Sequence, residues 1–181
     1  VQTQADEEFS SFVAARWTRM VRTAYALTGN HHDAEDLVQQ TMANAYARWG
    51  RVSGADNPDA YVWRMVLNAN VDRLRRARLR EWLTTRIPDT PQPDPTHETD
   101  RRSVLLSALR RLPRRQREAV ILRYVADLSE TQAAAVLGSS VGTVKSQASR
   151  GLAKLRQDGA LAELVPVTGG RAGAGPGEEP R

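Results

Sequence analysis

The sequence predicts an all-α protein, built as two small helical domains joined by a proline-rich linker. Three observations carry this. Apolar residues recur at three- and four-residue steps in both halves of the chain, and no segment sustains the two-residue alternation of a strand. Glycine, proline and short polar residues stand where helix ends belong. Four prolines fall within the nine residues Ile87–Pro95, a density that no helix interior accepts. The resulting division is 1–84 for the first domain, 85–100 for the linker, 101–160 for the second domain and 161–181 for a tail. The tail's Gly, Pro and charge predict disorder.

In the first domain, Phe9, Phe12, Val13, Trp17, Met20, Val21, Ala24 and Leu27 form one helical stripe. Gly29 stands at the position of a C-terminal cap. Asp33-Ala-Glu-Asp-Leu37 opens a second helix, its carboxylates at the positive end of the helix dipole. Leu37, Val38, Met42, Ala45, Tyr46 and Trp49 carry that helix to Gly50. A loop over Arg51–Asn57 follows. Pro58 fits a first helical position, and Tyr61, Val62, Met65, Val66, Ala69, Leu74 and Leu79 mark a third, long helix.

In the second domain, Val104, Leu105, Leu109 and Leu112 make a helix that Pro113 ends. Ala119, Val120, Leu122, Tyr124 and Val125 make the next. Ser129 caps a short helix through Leu137, and Ser140 caps a last one that runs to about Arg156. Residues 129–156 therefore read as a helix-turn-helix, with Gly138 supplying the left-handed turn. Val141, Val144, Ala148, Leu152 and Leu155 form the inward stripe of the last helix. Lys145, Ser146, Gln147, Ser149 and Arg150 form its outer face, suited to base edges and phosphates in a major groove.

The chain has 181 residues and a formal net charge of +5. The excess is clustered: Arg73, Arg75, Arg76, Arg78 and Arg80 lie within eight residues, a field that attracts polyanions. Arg110, Arg111, Arg114, Arg115 and Arg117 surround Pro113 and are suited to gripping phosphates beside the groove. With no cysteine, disulfides and thiolate metal sites are excluded. The three histidines do not form a convincing metal set, and no nucleophile motif or phosphate loop is present. No cofactor, metal or catalytic residue is expected. No apolar run approaches the ~20 residues needed to span a bilayer. Val1–Ser10 is polar and acidic, unlike a secretory signal, so the expected location is the cytoplasm. These features leave two functional classes open: a regulator that binds duplex DNA through residues 129–156 alone, and a subunit that brings a second domain to DNA.

The motifs of the first domain favour the second class. Asp33-Ala-Glu-Asp-Leu-Val-Gln-Gln40 and Ala60-Tyr-Val-Trp-Arg-Met-Val-Leu-Asn-Ala-Asn-Val-Asp-Arg-Leu-Arg-Arg76 stand in order before Leu112-Pro-Arg-Arg-Gln-Arg-Glu118 and Val141-Gly-Thr-Val-Lys-Ser146. Together they resemble the extracytoplasmic-function sigma factors of the sigma-70 family, most closely an actinobacterial SigE-like group. The resemblance covers roughly residues 9–158. It implies a transcription-initiation factor that binds core RNA polymerase and promoter DNA. It assigns polymerase docking to Asp33, Glu35, Asp36, Leu37, Val38 and Gln39. It assigns recognition and melting of the minus-ten element to Asn57, Tyr61, Trp63, Asn68, Asp72, Arg73, Arg75 and Arg76. It assigns minus-thirty-five contacts to Thr143, Lys145, Ser146, Gln147, Ser149 and Arg150. It also implies an anti-sigma partner that wedges between the domains. Gln40 and Tyr61 depart mildly from the family pattern, where Glu and Trp are frequent. Ser149 is small where some members are bulky, which bears on the sequence read there.

Overall fold

A computed structural model describes residues 2–83 and 97–164. Among the described residues there are helices and connecting turns and no strand. The first half holds α1 (Gln2–Ala14), α2 (Trp17–Thr28), α3 (His31–Tyr46), α4 (Trp49–Ser53) and α5 (Pro58–Leu83). The second holds α6 (His97–Arg111), α7 (Arg114–Tyr124), α8 (Glu130–Leu137), α9 (Val141–Arg156) and α10 (Gly159–Leu164).

In the first half, α2, α3 and α5 pack around Met20, Ala24, Val38, Val62, Trp63 and Val66, all fully buried. Gly29 closes α2 as expected, with φ at 74° and its N–H donating to the Tyr25 carbonyl. Asn30 then caps α3 by accepting from the Asp33 N–H at 3.1 Å.

The expected helix over Phe9–Leu27 is two helices. The chain breaks at Ala15–Arg16, where the Arg16 guanidinium forms a two-pronged bond to Asp59 at 2.6 and 2.8 Å. It also lies 3.9 Å over the Phe12 ring. The second expected helix stops at Tyr46 rather than Gly50, and a short helix, α4, occupies part of the expected loop. Phe9 and Phe12 hold α4 in place by edge contacts to Trp49, both at 5.2 Å between centroids.

In the second half, α7 lies against α9 and α8, with Val120, Ile121, Leu122, Ala133 and Val144 between them. The helix α6 begins at His97, inside the expected linker. Polar residues lengthen a helix without an apolar stripe, so periodicity marks only its later turns. The proline cluster lies outside the described residues. At the other end, α10 reaches Leu164, so the expected tail is helical in its first residues. Residues 165–181 are outside the described part.

The two halves touch. Three arginines each cross from one half to the carbonyl end of a helix in the other. Arg64 on α5 donates to the Ala135 and Val136 carbonyls at the end of α8. Arg22 on α2 donates to Val125 at the end of α7, at 2.9 Å, and Arg110 on α6 donates to Thr28 at the end of α2, at 3.0 Å. Cations favour that end of the helix dipole, where the last carbonyls lack partners.

Candidate nucleic-acid interface

The helix-turn-helix is set by local chemistry. Ser129 and Gln132 form a reciprocal capping box, at 3.1 and 2.8 Å, that starts α8. Gly138 turns the chain at φ 60°. Ser140 accepts from the Thr143 N–H at 3.1 Å and starts α9. The preceding turn holds Asp127 at φ 52°, a left-handed conformation that Asp tolerates better than most side chains. Arg123 secures that turn by donating to the Leu128 carbonyl.

On α9, Val144, Ala148 and Gly151 are buried, which turns Thr143, Lys145, Ser146, Ser149 and Arg150 to solvent. Gln147 is half-buried. Thr143 and Gln147 share a groove of about 310 Å³ with Arg114 and Arg115 at the start of α7. The structure therefore joins the two arginines to the α9 face. A cationic rim beside a row of short donors suits a phosphate strand flanking exposed base edges. The residue that sequence reading missed is Gly151: a methyl group there would lie 2.6 Å from Val120 Cγ2. Its absence lets α9 approach α7. A glycine in mid-helix was the available signal.

On α5, Tyr61, Asn68, Asp72, Arg75 and Arg76 fall on one stripe. Tyr61 is half-buried and the other four are exposed. Trp63 is not on it. It faces the opposite side and is fully buried, beside Leu128, Gln132 and Val136 of the second half. Five residues separate Trp63 from Asn68, about 500° of helix turn, so the two cannot share a face. Asn57 acts as the α5 cap, its amide oxygen accepting from the Ala60 N–H at 2.9 Å. Arg73 is turned toward α3, where it bonds Asp33 at 2.9 Å, and Asn70 is buried beneath it, 3.4 Å away. Thus Asp33 and Arg73, assigned separate partners by the resemblance, form one ion pair.

On α3, Glu35, Asp36 and Gln39 are exposed together, while Leu37 and Val38 are core residues that hold α3 in place. The Asp59 carboxyl is held below the usual carboxylate range, chiefly by the hydrogen bond from Arg16. Among the described residues no cluster of His, Asp or Glu could hold a metal ion. His31 instead stacks on Tyr25, with 4.1 Å between centroids.

Two cation-edged helical faces, spread over two helical units, mark a DNA-binding protein. Residues 13–80 match the family described as Sigma-70 region 2, and residues 102–155 match Sigma-70 region 4. An RNA polymerase sigma-E factor of Streptomyces coelicolor is 36% identical over 151 residues, 83% of this chain and 85% of that protein. The ECF RNA polymerase sigma factor SigE of Mycolicibacterium smegmatis is 35% identical over 145 residues, 76% of this chain and 56% of that protein. Among solved structures, the sigma factor RpoE in complex with the anti-sigma factor NepR from Bartonella quintana superimposes with a TM-score of 0.70. It is 25% identical, over 83% of this chain and 96% of that one. The chain belongs to the extracytoplasmic-function sigma factors of the sigma-70 family. It confers promoter recognition on RNA polymerase and serves transcription initiation.

Proposed function

We propose that the labour divides as 1–84 for core-polymerase docking and the minus-ten element, and 101–160 for the minus-thirty-five element. The observation that carries this is the separation of surfaces within the two matched segments: a carboxylate row on α3, a polar and cationic stripe on α5, and the outer face of α9. Glu35, Asp36 and Gln39 make the polymerase contacts. Leu37 and Val38 support them from the core, and Asp33 is anchored by Arg73. Tyr61, Asn68, Asp72, Arg75 and Arg76 meet the minus-ten strand. An aromatic ring and an amide beside cations offer substitute partners to unstacked bases, which opening DNA without ATP requires. Asn57 and Trp63 position that stripe, Asn57 by capping α5 and Trp63 from beneath. Thr143, Lys145, Ser146, Gln147, Ser149 and Arg150 meet the minus-thirty-five groove.

The chain works as a binding subunit in the cytoplasm and has no catalytic residue of its own. None of its described helices is long and apolar enough to cross a membrane. A protein antagonist of the anti-sigma kind is a further expected partner. The Bartonella relative is complexed with such a factor in an arrangement that superimposes on this one.

Two exposed substitutions separate the roles. Arg150→Ala is expected to abolish the preference for promoters with an intact minus-thirty-five element, a loss of about 1–3 kcal/mol at the contacted base, with core binding unchanged. Asp36→Ala is expected to weaken core binding with no change in thermal midpoint. Promoter-selective transcription and core affinity that are unmoved in the respective variants would remove these assignments.

A further inference from the structure

The helices α5 and α7 come from the two different halves and meet along a cleft of about 340 Å³. From α5 it takes Val71, Leu74, Arg75 and Arg78; from α7 it takes Arg114, Arg117 and Glu118. Four guanidiniums thus converge with a single carboxylate. That carboxylate is already engaged, since Glu118 accepts from Arg114 at 2.7 Å. Arg75 has only a distant partner, Asp72, at 3.9 Å on its own helix. Arg78 has no partner among the described residues. The Nε of Arg117 is shielded from solvent and unbonded, and its Nη1 reaches only the Arg110 carbonyl, at 3.4 Å. Burial lowers the pKa of Arg117 most; Glu118 raises it, and Arg114 and Arg110 lower it. Like charges gathered from two halves, one of them half-buried, repel unless an anion joins them.

We propose that this cleft binds a compact polyphosphate, and that binding holds the two halves together. Guanidinium forks match phosphate oxygens in pairs, and adjacent phosphoryl groups present several such pairs within a few ångströms. The cleft's volume lies within the range of small-ligand sites. Val71 and Leu74 form an apolar wall that limits competing water. Because its walls belong to different halves, the site is complete only while they are packed. A ligand that fills it therefore binds the closed arrangement better than an opened one and shifts the population toward it.

The test uses the full chain and sodium tripolyphosphate, free of magnesium and at constant ionic strength. Calorimetry is expected to show saturable one-to-one binding. Arg78→Gln and Arg117→Gln are each expected to weaken it about tenfold or more, the effect of losing one charge-assisted bond. Arg78 is exposed, so its variant keeps the test if Arg117→Gln disturbs folding. Lys145→Ala with Arg150→Ala, on the α9 face, is expected to leave the affinity unchanged. The chain has no cysteine, so Ser10→Cys and Ala153→Cys provide two unique exposed label sites, one per half. Energy transfer between them is expected to rise with tripolyphosphate. Absence of saturable binding, affinity unchanged by Arg78→Gln, loss of binding in the α9 variant, or unaltered energy transfer would overturn the proposal.

Discussion

Gly151 has no room for a side chain. A methyl group there meets Val120 Cγ2 at 2.6 Å and the Gln116 carbonyl at 3.3 Å. Val120 is only 4% exposed and is β-branched, so it has little freedom to move aside. Replacement by alanine would gain up to about 1 kcal/mol of helix propensity. Overpacking a filled interior costs about 1–3 kcal/mol, and here the obstacle is both core and backbone. Gly151→Ala is therefore expected to lower the urea midpoint of unfolding. At Gly29 two demands coincide: the left-handed φ, and Arg110, whose guanidinium a methyl group would overlap. The side chains proposed to meet the minus-thirty-five groove differ from these. Lys145, Ser146, Ser149 and Arg150 are exposed because Val144 and Ala148 are not, and period alone placed them. The same arithmetic separates Trp63 from the α5 stripe, so its burial was also legible in the spacing. The Asp33–Arg73 bond was not, because 40 residues separate the partners.

At the scale of elements, local rules were legible wherever one residue type answers one local need. Gly29, Pro58, Ser129, Gly138 and Ser140 all stand at the helix ends where their chemistry belongs. The break between α1 and α2 follows no such rule. Arg16 leaves the helix to hold Asp59, 43 residues away, and the apolar stripe runs through the break undisturbed. The short α4 depends likewise on the rings of α1. This joint has a pH signature. The Asp59 carboxyl is depressed, mainly by the Arg16 bond, so its contribution is present above the ordinary Asp pKa of about 3.9. It is lost as pH falls through the lower folded value. Stability is expected to drop between about pH 4 and 2 in the native chain. Asp59→Asn should lower the melting temperature at pH 7 and reduce that acid dependence. Some slope should remain, because Asp158, bonded to Arg111, is depressed in the same direction. Melting curves from pH 7 to 2 check this; an acid profile identical in both proteins would contradict it.

At the scale of the molecule, the packed halves set a limit on function. The centres of the minus-ten and minus-thirty-five elements lie about 25 base pairs, or about 85 Å, apart along B-DNA. A compact chain of this length has a radius of gyration of about 16 Å. On the proposed division of labour, the described arrangement cannot reach both elements, and the halves part on the promoter. The three crossing arginines are the polar ties that opening must break. Each exchanges a water contact for a hydrogen bond to a helix-end carbonyl, so the net contribution is modest and the contact reversible. Arg64→Ala combined with Arg110→Ala is expected to increase the radius of gyration in small-angle scattering at unchanged helix content. Identical scattering would show that apolar packing of α5 on α8 holds the junction alone. The two-domain plan was legible because proline density and charge shift within a few residues. Packing between the halves was not, because no local pattern encodes it.

The most direct measurement is transcription in vitro by core polymerase on a library of genomic promoter fragments, with and without the chain. The account predicts discrete new start sites that depend on the protein and lie at a constant distance downstream of two shared sequence elements. Absence of initiation, together with failure of the chain to co-migrate with core polymerase, would contradict it.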